Sequence, residues 1–328
     1  MASRTRDGLG RMVIPAVLFL AVAGCADPGA EQAAARPEAA GTGTAGYDPA
    51  AVLAEFDAAD SAASKSGDGE KLAVWETGPA LQNSLAGVKR ARLSKRVLPG
   101  FKHQDPVFAV ADSCFVTSAK MAVDGEDRPR ADAAHFVRNS EGKWQLSHHV
   151  MVSDELVAAT GVFPRATAHP TDQVLDAARR TALTGEVFNR SIAGPADTTV
   201  LARSAVLDDQ LAAGWSIYTT QMEAASMKVD RRLTASEWAP CAAKTDDGIV
   251  GFLTLNVVDT IVSTRDGADA VLAPPAPDLL ATGRTTAVTA HRIAVSRVEV
   301  FLLELPLDGG PAAVLGLTDA ATEINATN

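Results

Sequence analysis

The feature that most limits this chain is how it begins. Residues 1–25 open with a basic segment carrying Arg4, Arg6 and Arg11. They continue through the apolar stretch Met12 to Ala23 and end in small residues, Val22-Ala23-Gly24-Cys25. That order is the three-part pattern of a secretory signal peptide. The apolar part is shorter than the roughly 20 residues needed to cross a bilayer, and no second apolar stretch reaches 18 residues. The chain is therefore expected to be exported and to fold from the residues beyond the signal, in a compartment where disulfides persist.

The ending of this segment resembles the bacterial lipobox, in which a peptidase cuts ahead of a cysteine that first receives a diacylglyceryl group. Val22 stands where Leu is commoner. An ordinary signal peptide with an incidental cysteine is the alternative, but Cys25 sits at the end of the apolar core, where the motif needs it. Lipidation of Cys25 implies an anchor on the extracytoplasmic face of the cell membrane, each buried methylene contributing about 0.8 kcal/mol. Residues 1–24 are then the signal peptide. Residues 25–46, rich in Ala, Gly, Pro, Glu and Thr, read as a lipidated cysteine and flexible tether.

The formal charge of the 328 residues is -10. The first 24 residues carry Arg4, Arg6 and Arg11 against Asp7, so the remainder is near -12. A surface this acidic argues against nucleic-acid binding, which needs a dominant basic face. Beyond Cys25 two cysteines remain, Cys114 and Cys241. Two readings stand: a disulfide closing a long loop, adding on the order of 4 kcal/mol by restricting the unfolded chain, or two buried thiols.

Past the tether the pattern repeats. Asp48-Pro49 marks a helix start, with Val52, Phe56, Ala59 and Ala63 on one face. A second start is expected at His169-Pro170-Thr171-Asp172, with Val174, Ala178, Thr181 and Ala182 in succession. Strands are expected at Val107 to Val116 and in a hairpin of His135 to Val137 with Trp144 to Val152 around Asn139-Ser140-Glu141-Gly142. Within that second arm, Trp144, Leu146, His148, Val150 and Val152 are expected to face one way. Asp247-Gly248 marks another hairpin, between Trp238 to Lys244 and Ile249 to Val258. A long strand, roughly Thr286 to Leu305, turns at Asp308-Gly309 into Ala312 to Leu317. The reading is an α+β protein of two tandem lobes, each a leading helix with an antiparallel sheet. The lobes span residues 47–166 and 167–328. Element order alone also resembles the cystatin-like or NTF2-like architecture.

The lipobox, the Ala-rich tether, the words PVFAVAD and WAPCAAKTDDGIVGF, and the ending RVEVFLLELPLDGGPAAVLGL are together similar to a family of uncharacterised actinobacterial lipoproteins. The likeness spans most of residues 47–320. Its motifs are strand and turn words, and it supplies no catalytic residue. Fold analogy does not supply function.

Motifs for chemistry are scarce. The sequence has no G-x-S-x-G elbow, H-E-x-x-H, C-x-x-C, P-loop or G-x-G-x-x-G after a strand. No metal site or cofactor is expected. Thr234-Ala235-Ser236-Glu237 matches a capping box, which marks a helix or turn start. His148 and His149 would point to opposite faces of a strand. His148 is the one candidate base, with Asp112 from a neighbouring strand; the plain alternative is a hydrogen-bonded core histidine. His103, His135, His169 and His291 show no ligand spacing. Trp75, Trp144, Trp215 and Trp238 stand beside apolar residues and are expected in cores. Lys89, Arg90, Arg92, Lys95, Arg96 and Lys102 form a basic run without an acid. Anionic head groups or wall polymers would meet it at about 1 kcal/mol per residue; it also fits a solvated strand face. The leading expectation is a non-catalytic envelope module binding a partner protein, wall polymer or apolar ligand. The alternative is a small-pocket enzyme or apolar-ligand carrier built on His148.

Overall fold

Asp48-Pro49 starts a helix as its residues require. In the computed structural model, which describes residues 46–152, 166–194, 198–274 and 276–328, the Asp48 carboxylate accepts the Ala50 N–H and α1 runs Pro49–Ser66. Cys25, the signal and all of the tether but Gly46 lie outside the described residues. Gly67, at φ 64°, ends α1 in the left-handed conformation that glycine adopts freely. Helices α2 (Gly69–Trp75) and α3 (Gly78–Leu93) come next. Strands β1 (Phe101–Val110), β2 (Cys114–Val123), β3 (Arg130–Arg138) and β4 (Trp144–Met151) then form an antiparallel sheet in chain order.

Three expectations change in this lobe. The apolar run Val107 to Val116 is two strands, because Ala111-Asp112-Ser113 turns the chain between β1 and β2. The basic run is not a strand face: Lys89, Arg90 and Arg92 lie on α3, whose buried side is Ala80, Ala86, Val88 and Ala91. The alternation of β4 breaks at Ser147. Phe136 pairs with Leu146 but His135 with His148, leaving Ser147 as an extra bulged residue. Trp144 and Leu146 consequently face the helices, whereas Val150 joins the core on the opposite face.

The second lobe opens with β5 (Thr167–Pro170) and a single turn, α4 (Thr171–Val174). The long helix α5 (Ala177–Ala193) starts at Asp176, whose carboxylate caps the Arg179 N–H. This moves the expected start, because Leu175 is extended and interrupts the helix. A π-helix, Ala205–Ala212, runs into α6 (Ala213–Ala224). Strands β6 (Met227–Trp238), β7 (Cys241–Lys244) and β8 (Gly248–Ser263) succeed it. After them come β9 (Ala270–Leu272), α7 (Pro277–Ala281), β10 (Val288–Ala290), β11 (Arg292–Pro306) and β12 (Ala313–Thr327). The large sheet has the order β12-β11-β8-β7-β5, and β6 also pairs with β8. The capping-box match at Thr234 to Glu237 lies inside β6 and starts no helix. The expected long strand is divided at His291.

The fold is α+β; β9 and β10 form a small two-stranded sheet of their own, and the two larger sheets meet face to face. Cys114, Val116, Ala133 and Val150 of the first pack with Val250, Phe252, Val298, Val300 and Leu302 of the second. Cys114 and Cys241 are disulfide-bonded across this layer, with Cα atoms 6.4 Å apart. The first sheet's far face, Phe115, Ala134, Phe136 and Leu146, is covered by Leu53, Phe56 and Ala80. The far face of the second, including Leu253, Leu255, Phe301 and Leu303, lies under Leu183, Val187 and Leu207.

Glycine marks the closest approach. A Cβ on Gly316 would lie 2.5 Å from the Met151 carbonyl oxygen and 2.6 Å from the Val150 side chain. Gly185, inside α5, has open space at the same position. Gly316→Val is expected to lower the unfolding free energy by about 1–3 kcal/mol through overpacking. Gly185→Ala is expected to raise it by about 0.5–1 kcal/mol through helix entropy. Urea unfolding of both variants checks the opposite signs.

Candidate functional site

The helices over the first sheet bury acids where a core would bury only hydrocarbon. Asp57 and Asp60 lie on the same stripe of α1 as Leu53, Phe56 and Ala63. Across from them β1 supplies His103, β3 supplies Asp132 and β4 supplies His149. The Asp57 Oδ1 lies 2.5 Å from His103 Nδ1, and its Oδ2 accepts the His103 backbone N–H at 2.8 Å. His103 Nε2 donates to Asp132 Oδ2 at 2.9 Å, and His149 Nε2 lies 2.5 Å from Asp132 Oδ1. The four side chains form one chain of acid and imidazole, with Asp132 fully buried and His103 nearly so.

Burial and pairing pull in opposite directions here. Burial alone would lower the His103 pKa, but hydrogen bonds to Asp132 and Asp57, with their charges, raise it to about 9. Burial would raise Asp132, yet the charge of His149 and the bonds from His103 and His149 hold it far below the usual carboxylate range. Two neighbouring acids lack such support. Burial pushes Asp60 up to about 6, with Asp57 adding to the shift while His149, Ser64 and His103 oppose it. Burial and then Asp60 push Glu76 up to about 9, against the hydrogen bond from Ser84 at 2.8 Å. Asp60 Oδ1 and Glu76 Oε2 have no hydrogen-bond partner among the described residues. At neutral pH His103 is therefore held as an imidazolium, beside a protonated Glu76.

The edge of this cluster is open. A cleft of about 510 Å³ lies between α1 and β1, with apolar walls that include Leu53, Ala54, Phe101 and Pro106, and with Asp57 and His103 in its lining. Apolar walls with a few converging polar groups are the usual character of a ligand site. A smaller cleft of about 150 Å³ is lined by Val107, Ala133, Val152, Leu302 and Leu315 among others.

Sequence-derived candidates fall elsewhere. His148 is buried against Phe252 and His135, ring centroids 5.8 and 5.5 Å away, and burial lowers its pKa to about 4. Asp112 is exposed on the β1–β2 turn, so it is no partner for His148. Arg92 reaches the Gly67 carbonyl and caps α1, while Arg90, Lys95, Arg96 and Lys102 are exposed and Lys89 is half-buried. Trp75, Trp144 and Trp238 pack on cores, and Trp215 lies under the Arg231 guanidinium, 4.2 Å from its centre. The view of the histidines as scattered is corrected: His103 and His149 meet at Asp132. His135 lies with Cys114 and Cys241, one ligand atom from each within 4.8 Å of the others; among the described residues no other such trio occurs.

The second lobe also buries charge, in a network of guanidiniums and acids in which Glu299 keeps one oxygen, Oε2, without a hydrogen-bond partner among the described residues. Arg231 binds both Asp259 oxygens at 2.7 and 2.9 Å and Glu299 at 2.8 Å. Arg297 reaches Asp259 at 2.8 Å and Asp278 at 2.6 Å. These bonds fasten α7 and the strand pair β6–β8 to β11. No family model matches the sequence, and no curated protein matches it significantly.

The shifts fix the pH response. Unfolded histidine titrates near 6.5, so the contribution of His103 is complete below about 6.5 and is lost as pH rises through about 9. Glu76 acts in the same direction, because its ionisation is penalised in the folded state. His135 and His148, kept neutral by burial, add an acid limb below about 6.5, where the unfolded chain takes up their protons. His103→Gln is expected to cost about 3–5 kcal/mol near neutral pH by removing the cation shared by two buried carboxylates. It is also expected to flatten the decline between pH 6.5 and 9. Urea midpoints across that range provide the check; an unchanged alkaline slope would show that another group governs it.

Proposed function

We propose that this protein is an exported lipoprotein, held on the outer face of the cytoplasmic membrane by acyl chains on Cys25. On this reading it belongs with the actinobacterial lipoproteins it resembles, and its folded part is a non-catalytic binding module. The ligand seat is the cleft between α1 and β1. One observation carries the reading: a cleft of about 510 Å³ with apolar walls lies over His103, which is paired with Asp57 and held in its charged form at neutral pH. Both ring nitrogens of His103 are engaged with carboxylates. That favours recognition by fixed charge and hydrogen bonds over proton transfer, which works best with a group titrating near neutrality. The ligand class that fits is a small amphiphile with an apolar body and a hydrogen-bonding or charged end. The export signal supports the location, and among the described residues no helix is long and apolar enough to cross a membrane.

Two experiments test the two parts. An alkyne-bearing palmitate is expected to label the native chain and not Cys25→Ser, which should be released from the membrane. Equal labelling and equal retention would overturn the anchor. For the seat, hydrogen exchange of the full chain in lipid nanodiscs is compared with and without fractions of envelope small molecules. One fraction is expected to protect the α1 amides, and Ala54→Trp, which fills the cleft, is expected to abolish that protection. Protection elsewhere alone, or protection indifferent to Ala54→Trp, would move the seat.

A further inference from the structure

The bulge in β4 has a chemical product. Ser147 Oγ lies 3.0 Å from the His135 carbonyl oxygen, which can only accept, so the hydroxyl proton points there. The same oxygen lies 2.6 Å from His135 Nδ1 and 3.0 Å from His148 Nδ1. A hydroxyl has one proton and two lone pairs, so both Nδ1 atoms must donate to it. Both Nε2 atoms are then bare lone pairs, and neither has a hydrogen-bond partner among the described residues. His135 is fully buried, and so are Cys114 and Cys241 beside it. With Nδ1 engaged by Ser147, Nε2 is the ring atom left to bind something.

We propose that reduction of the Cys114–Cys241 bond opens a site for one thiophilic metal ion, Zn²⁺ or Cu⁺ in class, held by two thiolates and His135 Nε2. The three ligands come from β2, β3 and β7, and one ring nitrogen of His135 and the two sulfur atoms already lie within 4.8 Å of one another. Two thiolates with an imidazole form a soft donor set suited to these ions. The His148 ring, 5.5 Å from that of His135, carries a second unpartnered Nε2. Ser147 is the positioning residue: it fixes the tautomer and the orientation of the ligand histidine.

The steps balance. A dithiol reductant gives two electrons and two protons to the disulfide; the S–S bond breaks into two thiols and the reductant becomes a disulfide. The metal ion then replaces the two thiol protons, which pass to solvent, leaving a site of net charge zero with Zn²⁺ and of minus one with Cu⁺. Access is short at both ends, since Ser113 and Pro240, the residues preceding the two cysteines, are exposed.

Cobalt reports directly on such a site. The full chain in detergent is reduced with a phosphine and titrated with Co²⁺ alone. One equivalent is expected to bind, with sulfur-to-metal charge-transfer absorption in the near ultraviolet and tetrahedral d–d bands. The oxidised chain should show neither. Cys114→Ser is expected to abolish the charge-transfer band, and Ser147→Ala to weaken binding about 10–100-fold. Near-ultraviolet circular dichroism tracks folding: if reduction loosens the chain, Co²⁺ is expected to restore the folded signal. A reduced, folded chain without the bands, a loosened chain that Co²⁺ does not restore, or bands that survive Cys114→Ser would each overturn the proposal.

Discussion

The structure depends on how closely its two sheets stand. At β4 and β12 the chains approach until the Met151 carbonyl lies over Gly316, where any side chain would collide. Nearby the disulfide fastens β2 to β7. Between these two contacts the inner faces interlock through Val116, Val150, Phe252 and Val300, all fully buried. Burying apolar side chains at about 25 cal/mol per Å² is the main source of cohesion. The same tight layer is what makes His135 and His148 neutral, since a dry interior penalises their charged forms.

Charge is buried on the outer side of each sheet as well, under helices, but to different ends. In the second lobe the guanidiniums of Arg231 and Arg297 bind their acids with several short bonds each. Pairs of that kind fix the docking of elements and leave little to offer a ligand. Under α1 the acids outnumber their partners. Asp60 and Glu76 each keep an oxygen without a hydrogen bond among the described residues, and the cluster borders a cleft. Buried polar groups left unsatisfied are rare in folded proteins; Glu299 Oε2 in the second lobe is another, but the acids under α1 also border a cleft, and that combination carries the functional reading.

Local signals in the sequence were strong where one residue decides a turn or a cap. Asp48-Pro49, the turn at Asn139 to Gly142 and Asp247-Gly248 all lie where their chemistry demands. The site was not legible because its members are remote: Asp57 and His103 are 46 residues apart, His103 and Asp132 are 29. A hint existed in the patterns. Asp57 and Asp60 sit in the apolar stripe of α1, and Asp132 shares its strand face with Ala134 and Phe136, so periodicity alone places all three acids inward. Strand β6 was hidden because Arg231 occupies an inward position between Val229 and Leu233 and disguises the alternation. The slip at Ser147 was invisible for a different reason. One extra residue reverses every side chain beyond it, and no residue type announces such a bulge.

The covalent link between the lobes also has a mechanical meaning. Cys114 and Cys241 are 127 residues apart, so about 430 Å of fully extended chain is locked behind one bond. A pull applied between residue 47 and residue 328 would run along the strands outside that loop and through the sulfur bridge, and the enclosed segment would bear no load. While the bridge holds, the molecule can yield by peeling its ends but cannot release its middle. If the bridge were cut, the same pull would stretch it into a far longer thread.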